Sequence, residues 1–134
     1  MHIKRVLEAV LYVDDLAVAE TFYAGVLNLP VQSRVPGRHL FLRCGDGMFL
    51  LFNPEATSQP GQQVPSHGAR GPGHIALTVD EADLSGWRDR LAQHGVEIEA
   101  EVTWPSGGLS IYFRDPAGNS LELATTQTWN LPTE

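Results

Sequence analysis

The sequence contains the octet EAVLYVDD at Glu8–Asp15 and the octet HIALTVDE at His74–Glu81, and the two align without a gap. Apolar residues alternate with other residues in both octets, which is the period of two that a strand requires. The alternation places Glu8 and His74 first on equivalent faces, opposite a uniformly apolar face. A strand pattern that occurs twice in the sequence predicts two copies of one structural unit.

The segments that follow the two octets continue the repeat. Apolar residues at helical spacing come after each acidic turn, and they stop near Asn28 and Gly95, residue types that are common at helix ends. Short strand-like runs come next, around Val31, over 39–43 and over 48–52 in the first half, and over 96–102, 110–114 and 120–124 in the second. Each half is therefore predicted to be β-α-β-β-β, an α+β arrangement with pseudo-two-fold symmetry.

The repeat also sets the expected domain organisation. We expect a single domain over residues 1–134, with module one at 3–53, a connector at 54–72, module two at 73–125 and a tail at 126–134. The connector is rich in Pro, Gly, Gln and Ser and has no periodicity. Connections of this length are commonly binding loops or mobile segments.

Composition limits the function classes. The 134 residues are 43% apolar, which suits one continuous core, and the formal net charge of −7 gives no general attraction for nucleic acid or an anionic membrane. Cys44 is the single cysteine, so an intrachain disulfide is excluded. The N-terminus lacks the apolar stretch of a signal peptide, and we expect a cytoplasmic protein without membrane spans.

The final strands of the halves differ at one decisive position. When Gly47–Phe52 is laid over Asn119–Ala124, Leu50 occupies the place that Glu122 holds in the second half. Glu122 lies between two leucines, and an enclosed carboxylate costs several kcal/mol unless a cation or strong donors meet it. Glu122 is therefore a candidate ligand.

Three ionisable residues hold matching places in the two copies. If the copies pack about a pseudo-two-fold axis, Glu8, His74 and Glu122 converge, with Leu50 unable to contribute. One imidazole and two carboxylates can hold one divalent ion and leave positions open for water or substrate. The alternative is two surface carboxylates and a buried structural histidine.

The ordered motifs resemble the glyoxalase, bleomycin-resistance and extradiol-dioxygenase superfamily, the vicinal oxygen chelate proteins. The first module is similar in Glu8, LYVDDL at 11–16, FY at 22–23 and LNL at 27–29, and the second in GHIAL at 73–77 and YFRDPAGNSLEL at 112–123. The resemblance covers nearly the whole chain before Thr125. It implies paired βαβββ modules that form an open, cup-shaped mixed sheet with helices on the outer face, around one metal ion.

The resemblance also implies partners and a reaction class. Members of this size usually form homodimers, and in many the cup combines one module from each subunit. The implied function is a divalent-metal-dependent glyoxalase-like enzyme, a lyase, isomerase or thiol transferase, whose small substrate chelates Zn, Ni, Mn, Co or Fe through vicinal oxygens. Glu8 or Glu122 would double as the base. The alternative is a non-catalytic, drug- or metabolite-binding protein of the bleomycin-resistance type.

Two departures from the family pattern bear on the reaction. The first ligand of the family is often histidine and here is Glu8, while Leu50 stands where some members have a fourth ligand. The length and ligand places resemble those of fosfomycin-resistance proteins, although residues 97–110 contain no lysine to serve their potassium and phosphonate loop.

Alternation predicts further side chains on the side that carries the ion. Nine residues are expected to contact the substrate: Tyr12, Met48, Leu50, Phe52, Thr78, Trp104, Ser110, Tyr112 and Arg114. His67 in the connector is expected to be loop surface, with an outer-shell or lid role as the alternative.

Overall fold

The computed structural model describes residues 1–133, which divide into two compact units, Met1–Gly71 and the residues from Pro72 onward. The first unit contains, in chain order, β1 (Glu8–Tyr12), α1 (Leu16–Glu20), β2 (Val31–Val35), β3 (His39–Cys44), β4 (Gly47–Phe52) and α2 (Pro54–Thr57). Its sheet has the order β1-β4-β3-β2, in which β1 and β4 are parallel and the other neighbours antiparallel.

The second unit repeats this topology. It contains β5 (His74–Thr78), α3 (Leu84–Gln93), β6 (Ala100–Thr103), β7 (Leu109–Arg114) and β8 (Ser120–Ala124), in the sheet order β5-β8-β7-β6. The strands β5 and β8 are parallel, and the remaining pairs are antiparallel. The predicted βαβββ modules are confirmed.

Strand register shows how closely the units match. Glu8 is paired with Met48 in the first unit, and His74 is paired with Ser120 in the second. Two residues further along each pair of strands, Leu50 and Glu122 occupy the same register position. The gapless alignment of the octets and of the final strands is therefore reproduced by backbone pairing.

In each unit one sheet face is apolar and buried. Tyr23 lies against Phe49 with a ring-centroid distance of 5.3 Å, so the first helical segment packs on the face opposite Glu8. The same alternation in the second unit buries a set of apolar side chains on the face opposite His74 and Glu122: Ile111, Phe113, Leu121 and Leu123. The face that carries Glu8 in the first unit, and His74 and Glu122 in the second, is therefore opposite this apolar face.

The first helical segment changes type along its length. Asp15 caps α1 by accepting a hydrogen bond from the Val18 amide at 3.0 Å. The segment Thr21–Val26 is a π-helix, and Asn28 follows it in the left-handed region at φ 57°. The predicted helix and its end near Asn28 are confirmed, whereas the π-helical geometry has no signature in the apolar spacing.

Two segments differ from the sequence expectations. The strand predicted over 96–102 is wrong at its start, because β6 begins only at Ala100. Gly95 has φ 68° and the Val96 amide still bonds to the Leu91 carbonyl at 2.8 Å, so the chain is leaving α3 there. The connector expected over 54–72 also contains structure, because Pro54 and the Asn53 cap begin α2.

The turn before β8 fixes the start of β5. Gly118 has φ 92°, as the Asp-Pro-Ala-Gly-Asn stretch requires of a permissive residue. The Gly73 amide donates to Asn119 Oδ1 at 2.8 Å, and the Ser120 amide donates to the Gly73 carbonyl at 2.9 Å. These two bonds place His74 beside β8.

Within residues 1–133, no helix has the length and apolar character needed to cross a membrane.

Candidate metal centre

His74 and Glu122 lie together on one face of the second unit. The distance between His74 Nε2 and Glu122 Oε2 is 3.3 Å. His74 is exposed at the start of β5, whereas Glu122 is 7% exposed in the middle of β8. The structure therefore brings together two of the three predicted ligands.

The hydrogen bonding of His74 selects its tautomer. Nδ1 lies 3.0 Å from the Ser120 carbonyl oxygen, which only accepts, so Nδ1 carries the proton in this contact. In the neutral ring Nε2 then keeps its lone pair and faces Glu122. A backbone carbonyl that orients the distal nitrogen is the usual support of a metal-binding histidine.

The other carboxylate oxygen of Glu122, Oε1, accepts a hydrogen bond. Ser110 Oγ donates to Glu122 Oε1 at 2.5 Å, and the indole Nε1 of Trp104 donates to Ser110 Oγ at 2.8 Å. Burial raises the pKa of Tyr112, and its hydrogen bond and proximity to the Glu122 carboxylate raise it further. Tyr112 is therefore a neutral phenol beside the carboxylate at ordinary pH.

The spacing of the two ligand atoms fits a shared ion. Metal–ligand bonds of about 2.0–2.2 Å would separate a nitrogen and an oxygen ligand by about 2.9 Å at a right angle and by about 3.4 Å at a tetrahedral angle. The observed 3.3 Å lies within this range. A charge-assisted hydrogen bond would be shorter, at about 2.7–2.9 Å. The pair is thus spaced for coordination.

Glu8 occupies the corresponding place in the first unit. It is exposed at the start of β1, in the register position that His74 holds in the other unit. Leu50, which is 5% exposed, holds the position of Glu122. Among residues 1–133, no group of three or more His, Cys, Asp or Glu lies close enough together to hold a metal ion. The membership of Glu8 in the site stays a prediction.

The first unit carries an aromatic cluster that sequence patterning only partly indicated. Tyr12 Oη lies 2.6 Å from His67 Nδ1, and the Phe52 and His67 rings meet edge-to-face with centroids 4.9 Å apart. His67 therefore contacts two predicted substrate residues instead of lying on the loop surface alone. The connector around it has no periodicity, so the sequence contains no signal for this contact.

His39 is a second histidine in this cluster that the sequence analysis did not select. Arg38 Nη1 donates to His39 Nδ1 at 2.7 Å, and the His39 ring stacks on Phe41 with centroids 3.8 Å apart. Burial lowers the pKa of His39, and the charge of Arg38 lowers it further. The imidazole is therefore held in its neutral form.

The remaining predicted substrate residues have varied surroundings. Arg114 is exposed and pairs with Glu99 at 2.7 Å, so its guanidinium already has a carboxylate partner. Thr78 is exposed on β5, and Met48 is half-buried on β4. Trp104 directs its indole N–H to Ser110. Their contacts with a substrate stay predictions.

Comparison with known proteins identifies the class to which this site belongs. The family model of the Glyoxalase/Bleomycin resistance protein/Dioxygenase superfamily matches residues 3–123. The chain therefore belongs to this superfamily, and the resemblance found in its motifs is confirmed.

Three individual proteins show which members of the superfamily this chain is similar to. The glutathione transferase FosA of Serratia marcescens is 37% identical over 113 residues, covering 84% of this chain and 74% of the relative. The metallothiol transferase FosB of Bacillus licheniformis is 30% identical over 114 residues, covering 84% of this chain and 70% of the relative. The crystal structure of lactoylglutathione lyase from Agrobacterium tumefaciens has a TM-score of 0.92 at 37% identity. The match covers 96% of this chain and 98% of the lyase chain. These comparisons indicate an enzyme of the glyoxalase superfamily.

The lowered pKa of His39 predicts a pH-dependent stability of the first unit. A histidine with a depressed folded-state pKa stabilises the fold while neutral, so this stability is present above the unfolded value of 6.5 and is lost as the pH falls below it. We expect wild type to lose more unfolding free energy than His39→Phe between about pH 8 and pH 5.5. Denaturant titrations in EDTA measure this difference, and equal losses would contradict it.

Proposed function

We propose that the protein is a divalent-metal-dependent enzyme that acts on a small thiol or thiol adduct. The observation that carries the proposal is the 3.3 Å pair of His74 Nε2 and Glu122 Oε2. An imidazole and a buried carboxylate, each oriented by a further hydrogen bond, form a ligand pair suited to Zn, Ni, Mn, Co or Fe.

Glu8 is the proposed third ligand. Its register equivalence to His74 supports this assignment, and Leu50 at the position of Glu122 leaves the fourth place without a protein ligand. An ion with three protein ligands keeps exchangeable positions for substrate oxygens. Such a bound ion supplies Lewis-acid polarisation of a substrate oxygen.

Protein side chains would supply the base and a polar contact to the substrate. Glu122 is buried and its Oε1 is occupied by Ser110, whereas Glu8 is exposed. We therefore favour Glu8 as the base, because its exposed carboxylate would be the freer of the two to accept a substrate proton. Tyr112, whose hydroxyl is hydrogen-bonded to Glu122, is our candidate for a further polar contact with the substrate.

The substrate class is supported by the names of the relatives. Two are named as thiol-using transferases, FosA and FosB, and the third is named a lactoylglutathione lyase. A thiol or its adduct is common to all three names. Transfer of a thiol to a small electrophile is the reaction that we favour, because two of the three relatives are named as transferases. A lyase reaction on a thiol adduct is the second candidate, supported by the lactoylglutathione lyase, which is similar over 96% of this chain.

An activity assay tests the reaction. We expect the metal-loaded protein to consume glutathione when it is mixed with a small epoxide such as fosfomycin, because the ion would polarise the epoxide oxygen as the thiolate attacks carbon. Parallel incubation with glutathione and methylglyoxal separates the lyase reaction, which would form a thioester. A metal-loaded protein that produces neither product would contradict the proposal.

Removal of either ligand tests the metal centre. We expect His74→Ala and Glu122→Gln to reduce binding of added Mn, Co, Ni or Zn by at least about tenfold and to keep a cooperative melt, since neither residue belongs to the apolar core. Equilibrium dialysis with elemental analysis measures the binding. The matched controls are His94→Ala and Glu97→Gln, which alter exposed residues of the same unit. Full metal binding by both ligand variants would contradict the site.

A complementation experiment tests the homodimer and the source of Glu8. We propose that Glu8 of one copy joins His74 and Glu122 of a second copy, as the family resemblance implies. Refolding an equal mixture of Glu8→Ala chains and His74→Ala/Glu122→Gln chains should then restore roughly a quarter of the sites, because half of the dimers are mixed and each has one complete site. No restoration, with dimers shown by light scattering, would place all three ligands in one copy.

A further inference from the structure

A buried hydrogen-bond chain runs from Trp104 through Ser110 to Glu122. An indole nitrogen can only donate, so the 2.8 Å contact is a bond from Trp104 Nε1 to Ser110 Oγ. The serine hydroxyl then has its single proton available for the carboxylate, and it lies 2.5 Å from Glu122 Oε1. The direction of both bonds is therefore fixed by the chemistry of the groups.

This chain distinguishes the two carboxylate oxygens. Oε1 accepts the short bond from Ser110, while Oε2 is the oxygen that lies 3.3 Å from His74 Nε2. Binding of an ion at Oε1 would cost the bond from Ser110, whereas binding at Oε2 would leave that bond in place. We infer that Ser110 and Trp104 are positioning residues that hold Glu122 as a ligand through one oxygen, an assignment that rests on the proposed metal site.

The burial of Ser110 strengthens this inference. Ser110 is 2% exposed, so water does not compete for its hydroxyl. Strand alternation predicts that Ser110 contacts the substrate, and in the structure its hydroxyl donates to Glu122. A substrate could receive a hydrogen bond from this hydroxyl only if the carboxylate lost one.

The first unit offers an internal comparison. By strand register His39 holds the position of Ser110, and Leu50 holds the position of Glu122. The unit that lacks the ligand carboxylate therefore also lacks the serine that would hold it. The hydroxyl and the carboxylate occur together, as expected of a support and the group that it supports.

Metal titration of three full-length variants tests the inference. We expect Ser110→Ala to weaken Zn binding by about ten- to hundredfold, because outer hydrogen bonds to ligands typically contribute this much to affinity. Trp104→Phe, which keeps the serine hydroxyl and removes its donor, should weaken binding less. The matched control is Thr57→Val, which removes a hydroxyl that is 1% exposed in the other unit and should leave the affinity unchanged.

The cobalt spectrum separates positioning from general destabilisation. Release of Oε1 in Ser110→Ala lets both oxygens bind, so the coordination number rises and the visible absorption of bound Co(II) falls at saturating metal. Thermal melts of the metal-free variants verify folding, and Trp104→Phe carries the test if Ser110→Ala does not fold.

The outcomes separate this inference from the proposed function. Normal metal binding by wild type, with unchanged affinity and cobalt spectrum in Ser110→Ala and Trp104→Phe, would overturn the positioning roles and leave the metal site intact. Failure of wild type to bind any of Mn, Co, Ni or Zn would overturn the metal site itself.

Discussion

The buried carboxylate of Glu122 is the group on which the candidate site depends. An ionised side chain in the middle of β8 loses most of its hydration, and this loss must be offset by strong partners. The structure supplies a serine hydroxyl at one oxygen and an imidazole near the other. The imidazole contact is longer than a charge-assisted hydrogen bond, so the second oxygen is the one at which a cation would most improve the balance.

The two units share one backbone arrangement but differ in the side chains on one sheet face. Both keep the same parallel pairing between the first and last strands of the module, and both bury the face that carries the helix. The opposite faces have diverged, because the position of Glu122 in one unit is taken by Leu50 in the other. Backbone register therefore preserves the positions, and the second unit has a buried carboxylate where the first unit has a leucine.

The period of two in the sequence was sufficient to predict the repeated strands and the faces on which Glu8, His74 and Glu122 lie. It could not predict the contacts that orient these groups. The bond from Trp104 to Ser110 crosses from a loop to a strand, and the hydrogen bond between Tyr12 and His67 joins β1 to an aperiodic connector 55 residues away. Contacts of this kind depend on tertiary packing, which leaves no periodic trace in the chain. The late start of β6 has the same origin, because Gly95 and Val96 complete the end of α3 before strand pairing begins.

The orientation of His74 follows from the same pairing that makes the sheet. Its Nδ1 meets the carbonyl of Ser120, the residue directly opposite it in the parallel ladder between β5 and β8. That carbonyl requires a proton on Nδ1, which leaves Nε2 as the unprotonated nitrogen of the neutral ring. Glu122, two residues beyond Ser120, then presents Oε2 to this nitrogen. The register of one strand pair thus sets both which nitrogen of His74 faces Glu122 and the distance between the two groups, so a slip of one residue in β8 would remove both at once.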